Sequence, residues 1–193
     1  MVSINEKLKN ATVGIAGLGG LGSTVAVALA RAGIGRLIIA DFDKVEEDNL
    51  NRQQYFIDQI GQNKVDAMTE NLQRINPNVK IEAHRVRLNV DNVPEIFADA
   101  DVIAECFDNA QAKQMIVETV LSKMGKTVIV AVSGLAGYGN SNAIKTRRIS
   151  DRLILVGDET TGIDTQPILT AARVGIAACH QANAIIETII NNI

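Results

Sequence analysis

Short apolar, β-branched runs recur along the chain at 11–17 (ATVGIAG), 36–41 (RLIIAD), 79–85 (VKIEAHR), 100–106 (ADVIAEC) and 126–133 (KTVIVAVS). Between them apolar positions fall three and four apart. Val65, Met68, Leu72 and Ile75 share one helical face, as do Ile116, Val117, Val120, Leu121 and Met124. Strands with so little polar alternation must be covered on both faces, and right-handed βα crossovers supply that cover in a parallel sheet.

After Ser133 the rhythm changes. GLAGYGNSN (134–142) is a glycine-rich loop, and AIKTRRI (143–149) and RLILVG (152–157) predict two further strands, antiparallel additions at the sheet edge. GDETTGIDTQ (157–166) predicts a loop, followed by a last helix from about Pro167. The fold class expected is therefore α/β, a Rossmann-like, mainly parallel sheet with helices on both faces and antiparallel strands added after residue 140. In the last helix Ala171, Gly175, Ala178 and Ala182 form a stripe of small residues. Packing inside the chain is its first reading, and self-association as a homodimer its second.

At 193 residues, with 47% hydrophobic against 21% charged side chains, the chain suits one domain, 1–193. A net charge of −3 offers no broad attraction to nucleic acid or an anionic membrane, so neither is expected as a partner. Cys106 and Cys179 lie in apolar settings, form no C-x-x-C pair and are expected to be reduced core residues, with no structural zinc. MVSINEKLKN has no apolar leader core, and no run approaches a membrane span, so a cytoplasmic location is expected.

The chemistry begins at GIAGLGGLGSTVAVALARAG (14–33). Gly17, Gly19 and Gly22 satisfy G-x-G-x-x-G where a strand hands over to a helix, so free N–H groups and the positive helix end converge there. Nineteen residues past Gly22, Asp41 ends the second strand, where a ribose hydroxyl pair would be read. NAD and ATP both fit that much. Beyond Asp41 come Asn49, Arg52 and Gln53, then Lys64 at the start of the next helix. Extra cations suit a triphosphate, although each alone also reads as a solvated surface charge.

Gly17-Leu-Gly-Gly-Leu-Gly22, Asp41-Phe-Asp43 with Val45, Asn49-Leu-Asn-Arg52-Gln53, Lys64 and Cys106-Phe-Asp108-Asn109 together resemble the adenylating domain of the ThiF/MoeB/ubiquitin-activating superfamily. The similarity runs over residues 10–140, with a weaker echo at 175–187, and is greatest to compact ThiF-type proteins of thiamine biosynthesis. It implies ATP and Mg²⁺ as the nucleotide and metal. The implied partner is a small ubiquitin-like sulfur carrier protein, whose C-terminal Gly-Gly carboxylate becomes an acyl-adenylate as pyrophosphate leaves. By the same resemblance Gly17, Gly19, Gly20 and Gly22 line the phosphates and Asp41 holds the ribose. Asn49, Arg52 and Lys64 bind phosphate, Asp43, Gln53 and Asn109 complete the nucleotide set, and Asp108 positions Mg²⁺. Arg52, Lys64 and Asp108 are the residues that would carry catalysis. Asp108 also reads as N-cap of the helix starting near Ala110.

The chemistry of the implied reaction agrees with this residue set. A C-terminal carboxylate, with an ordinary pKa of about 3.3 to 3.7, is already ionised at neutral pH and needs no general base. Positive charge and in-line positioning are what the step requires. Accordingly His84 and His180 are read as structural. Arg147 and Arg148 are candidate substitutes for an arginine that some members of the family supply from an N-terminal segment. The loop at 157–166 contains no cysteine, so the expected reaction ends at the adenylate. The competing expectations are an NAD-dependent oxidoreductase and a non-catalytic nucleotide-binding interaction module.

Overall fold

A computed structural model describes residues 3–192; positions 1, 2 and 193 of the expected single domain lie outside the described residues. The apolar runs form β1 (Thr12–Ala16), β2 (Arg36–Asp41), β3 (Lys80–Arg85), β4 (Val102–Glu105) and β5 (Val128–Val132), and the later pair forms β6 (Lys145–Ser150) and β7 (Leu153–Gly157). They make one sheet in the order β3-β2-β1-β4-β5-β7-β6. All neighbours are parallel except β6 and β7. The two late strands were expected to be antiparallel additions. Instead β7 joins β5 in parallel, Ile129 opposite Leu153 through Val132 opposite Val156, and only β6 runs antiparallel. Burial explains the choice: LILVG is largely buried and can sit inside the sheet, whereas every residue of KTRRIS is exposed, as suits a charged edge.

Helices α1 (Ile4–Asn10), α2 (Gly20–Ala32), α3 (Lys64–Ile75) and α6 (Ala171–Asn192) contribute to one apolar cluster with Val13, Ile15, Leu37, Ile39 and Val130. On the other face α4 (Val93–Ile96) and α5 (Ala110–Lys123) bury Phe97, Ile116 and Val120 against Ile38, Ile103 and Ile129. Gly14 makes room for that second layer, since a Cβ there would lie 2.6 Å from the Phe97 ring. Helix α6 starts at Ala171 rather than near Pro167. The preceding residues are held by the glycine loop, the Gly137 amide donating to the Ile168 carbonyl (2.8 Å).

The small-residue stripe divides. Ala178 and Ala182 are buried within the chain, and Val174 comes within 3.0 Å of where a Gly20 Cβ would be, so α6 packs closely on α2. Ala171 is exposed and Gly175 half-buried. Cys106 is buried as expected, but Cys179 is exposed, because its position on α6 turns away from the sheet. His84 pairs with Glu82 (2.8 Å) on β3, and His180 meets the Thr146 hydroxyl (3.0 Å), tying α6 to β6. Among the described residues no helix is long and apolar enough to cross a membrane.

Candidate nucleotide-binding site

Strand order reverses between β1 and β4, and in open α/β sheets the crevice that takes ligands lies beyond the carboxyl ends of the strands at such a reversal. The glycine turn lines it. Gly17 has φ +92°, a conformation that side chains disfavour, and its amide donates to the Ala40 carbonyl (2.9 Å). Gly22 lies so close beneath the turn that a Cβ would come within 1.9 Å of the Gly17 carbonyl oxygen. Only hydrogen fits there, which lets the first turn of α2 present its amides at the crevice.

Asp41 is 8% exposed at the tip of β2. Its carboxylate accepts from the Leu18 amide (2.6 Å) and the Asp43 amide (2.8 Å), locking the acid to the turn. A carboxylate has about four acceptor positions, so capacity for ribose hydroxyls remains. The Tyr55 hydroxyl donates to the Leu18 carbonyl (2.8 Å). Burial, and then the charges of Asp41 and Asp43, push that phenol upward, so it stays a neutral donor.

The 49–53 loop lies against the turn. A Cβ on Gly20 would sit 3.7 Å from Cγ of Arg52, and one on Gly19 would sit 3.9 Å from Nε2 of Gln53. Gln53 is buried, and among the described residues its Oε1 has no hydrogen-bond partner. Asn49 serves the loop itself, its Oδ1 accepting from the Glu46 amide (3.2 Å). The Arg52 guanidinium is turned onto its own loop, donating to the Asp48 carbonyl (2.9 Å) and Asn51 Oδ1 (2.7 Å). Lys64 opens α3 with its side chain 7% exposed, and its Nζ meets Asp43 Oδ2 at 3.2 Å.

Across the crevice, at the tip of β4, the N-cap of α5 is Asn109, whose Oδ1 accepts from the Ala112 amide (2.8 Å). The capping role considered for Asp108 therefore belongs to its neighbour. Asp108 is exposed, and its carboxylate accepts a single long hydrogen bond from Asn109 (3.4 Å). Arg147 pairs with Glu159, and Arg148 donates to the Asp151 carbonyl (3.3 Å); both lie on β6 rather than at the glycine turn.

Further along the sheet, at β7 and β6, lies a cavity of about 520 Å³ bordered by Tyr138, Lys145, Arg147, Glu159 and Gln166. Its floor holds an ion pair that sequence reading missed. Arg173 meets Asp158 at 2.6 Å with side chains 4% and 6% exposed, and the same guanidinium donates to the carbonyls of Gly139 (2.8 Å) and Asn140 (2.9 Å). One arginine thus joins the two loops at 134–142 and 157–166. Glu105 and Lys113, beneath the β4 tip, were missed as well (3.0 Å). The available signal was a lone charge inside an apolar run, Glu105 in VIAEC (102–106) and Arg173 in LTAARVGIAA (169–178).

A sequence model of the ThiF family matches residues 2–192. The chain belongs to the ThiF family. This ThiF-family chain is 41% identical over 116 residues to adenylyltransferase and sulfurtransferase MOCS3 of Caenorhabditis briggsae, covering 60% of the chain and 29% of that protein. It is 33% identical over 181 residues to ubiquitin-like modifier-activating enzyme 5 of Gallus gallus, covering 88% and 43%. The chain therefore spans less than half the length of these curated relatives. Its fold matches E. coli tRNA N6-threonylcarbamoyladenosine dehydratase TcdA in complex with AMP, with a TM-score of 0.85 at 20% identity over 96% of this chain and 88% of that one. It also matches E. coli MccB, with a TM-score of 0.74 at 24% identity over 97% and 58%.

Proposed function

We propose that this ThiF-family protein uses ATP to adenylate the C-terminal carboxylate of a small ubiquitin-like carrier protein, releasing pyrophosphate. The observation that carries the reading is the seating of the 49–53 loop against the glycine turn, with Gln53 behind Gly19 and Arg52 behind Gly20. Three separate stretches of sequence then serve one crevice: the turn, the loop and Lys64. The names of the relatives, an adenylyltransferase and a modifier-activating enzyme, support the same reaction class.

ATP suits the residues present. The turn's amides would receive phosphate oxygens, Asp41 the ribose, and Lys64 and Arg52 the remaining phosphate charge. The exposed Asp108 carboxylate, with one weak hydrogen bond, suits a hard divalent cation, and Mg²⁺ there would offset phosphate charge. Because the attacking carboxylate is ionised at neutral pH, the chain's own work is to hold the tail in line and to relieve repulsion between two anions. The cavity beside the crevice, bordered by loops rich in glycine, gives an extended Gly-Gly tail a path along the strand tips. A sulfur carrier of the thiamine-biosynthetic type is the partner proposed, with catalysis by Arg52, Lys64 and Asp108.

The test is ATP–pyrophosphate exchange against a panel of small proteins ending in Gly-Gly. Exchange should depend on one member of the panel, and Lys64→Ala and Arg52→Ala should each lower it by about 100-fold or more while the far-ultraviolet dichroism stays unchanged. Mg-ATP, and not NAD, should raise the melting temperature. Stabilisation by NAD alone would replace this reading with the oxidoreductase one. Stabilisation by Mg-ATP without exchange for any carrier would favour a non-catalytic module.

A further inference from the structure

Parallel strands β4 and β5 pair from Val102 opposite Val128 to Ala104 opposite Val130, and there the ladder stops, although β5 continues to Val132. Side chains from both faces of the sheet fill the split. From the α5 side, Glu105 Oε1 accepts from the Phe107 amide (2.7 Å) and its Oε2 from the Val132 amide (3.3 Å). Lys113 donates to both oxygens (3.0 and 3.1 Å) and to the Val132 carbonyl (3.0 Å). From the α6 side, Nε2 of Gln181 bridges the carbonyls of Glu105 (2.9 Å) and Val130 (2.7 Å). Glu105 and Gln181 are both fully buried.

The network is saturated. A lysine has three N–H donors and a carboxylate about four acceptor positions, and these contacts use all of them. Val132, which has lost its partner on β4, receives both backbone bonds from side chains instead. Meanwhile the β4 tip stays with β1, since the Cys106 amide still donates to the Ala16 carbonyl (3.0 Å). The chain that carries Asp108 is thereby parted from β5 and stays beside the glycine turn, where the Cys106 carbonyl oxygen lies 3.0 Å from the place a Gly17 Cβ would take. An apolar pair could hold α5 to the sheet about as well as this partly buried ion pair, so the charges are explained by direction rather than by adhesion.

We propose that Glu105, Lys113 and Gln181 form a polar wedge that splits β4 from β5 and aims the 106–109 loop, and with it Asp108, into the crevice. They are positioning residues, acting through Asp108, and the catalytic part of this inference rests on the Mg-ATP reading above.

The test uses the full chain carrying Lys113→Met, with Lys113→Arg as the conservative variant, and two readouts. Amide hydrogen exchange without nucleotide reads the wedge itself. In Lys113→Met the Phe107 and Val132 amides should exchange at least about tenfold faster while the β1 and β2 amides keep their protection, and Lys113→Arg should restore the pattern. The Mg²⁺ dependence of stabilisation by ATP reads the aim. Lys113→Met should need at least about tenfold more Mg²⁺ for half the effect, and combining it with Asp108→Asn should add nothing to Asp108→Asn alone. Unchanged exchange at Phe107 would overturn the wedge. Faster exchange with an unchanged Mg²⁺ requirement would overturn the positioning role and leave a structural one. A wild-type protein indifferent to Mg-ATP would instead retire the nucleotide reading, with the exchange data still deciding the wedge. Should Lys113→Met fail to fold, Glu105→Asp, which withdraws the carboxylate by one methylene and keeps its charge, is judged by the same two readouts.

Discussion

Replacing Asp158 with Asn removes one charge from the floor of the cavity and changes little in volume. In the native chain that carboxylate meets Arg173 at 2.6 Å, both side chains being almost fully covered. Burial opposes its ionisation, yet the backbone and side-chain hydrogen bonds of Thr161, followed by those of Thr160, outweigh burial and hold the carboxyl at about 2 against an ordinary 3.8. At 1.36 kcal/mol per unit, that depression is worth about 2 kcal/mol. Because the folded value lies below the unfolded one, this stability is complete above about pH 4 and is lost as pH falls through about 2. Asp158→Asn also strands the Arg173 guanidinium in the interior, a change that costs about 3 to 5 kcal/mol when one partner of a buried pair is removed. Urea unfolding of the two proteins from pH 6 down to pH 2.5 measures both effects. The variant should be less stable by about 3 to 5 kcal/mol at pH 6, and the gap should narrow below about pH 4 as the wild-type carboxyl becomes protonated in the unfolded chain ahead of the folded one. A gap below about 1 kcal/mol at pH 6, or one that does not narrow, would refute the reasoning.

Gly22→Ala sets a Cβ 1.9 Å from the Gly17 carbonyl oxygen; the turn must move, and urea unfolding should record a loss of about 3 kcal/mol or more together with loss of any nucleotide-induced thermal shift. Asn109→Ala removes the α5 cap and should cost about 1 kcal/mol while leaving the Mg²⁺ requirement of exchange unchanged, whereas Asp108→Ala should do the reverse. Among the two cysteines, Cys179 should react quickly with a thiol reagent in the native protein. Cys106, whose thiol is pushed upward by burial and then by the charge of Glu105, should react only after unfolding. Two fast thiols would contradict the burial of Cys106.

The sheet was legible because its strands are apolar almost throughout: β2 was read as 36–41 and is Arg36–Asp41, and the interior strands moved only by a residue or two at their ends. What failed depended on partners distant in sequence. The parallel seat of β7 follows from the exposed apolar edge of β5, which no local pattern reveals. The start of α6 was misjudged because Pro167 is a good first-turn residue locally, while Gly137, thirty-one positions earlier in the chain, keeps Ile168 out of the helix. Helix α1 is a different failure. Its capping box, Ser3 with Glu6, is visible as S-x-x-E in the sequence and passed unread. At the site, the Leu18 amide ties Asp41 to the turn and Lys64 reaches Asp43, while the orientation of side chains was hidden from the sequence. Arg52 folds onto its own loop, Asn49 and Asn109 cap backbone, and the pairs Asp158–Arg173 and Glu105–Lys113 each join residues that only the fold brings together.

Charge at the crevice leads to one more requirement. Of the residues assigned to the nucleotide, three are carboxylates, Asp41, Asp43 and Asp108, and two are cations, Lys64 and Arg52, and Lys64 already faces Asp43 at 3.2 Å. Together these five side chains carry one net negative charge. The turn's amides and the positive end of α2 are worth about half a charge, which is too little to hold a triphosphate against those acids. On the function proposed above, AMP, with a single phosphate, would be served by the turn alone, whereas ATP would need a cation at Asp108. Binding measured by calorimetry in the presence of a chelator should weaken about tenfold or more for ATP and change little for AMP, and Asp108→Asn should shrink the difference between the two by relieving one repulsion. If ATP binds as tightly with chelator as with Mg²⁺, the amides and the two basic side chains suffice, and Asp108 loses the role proposed for it.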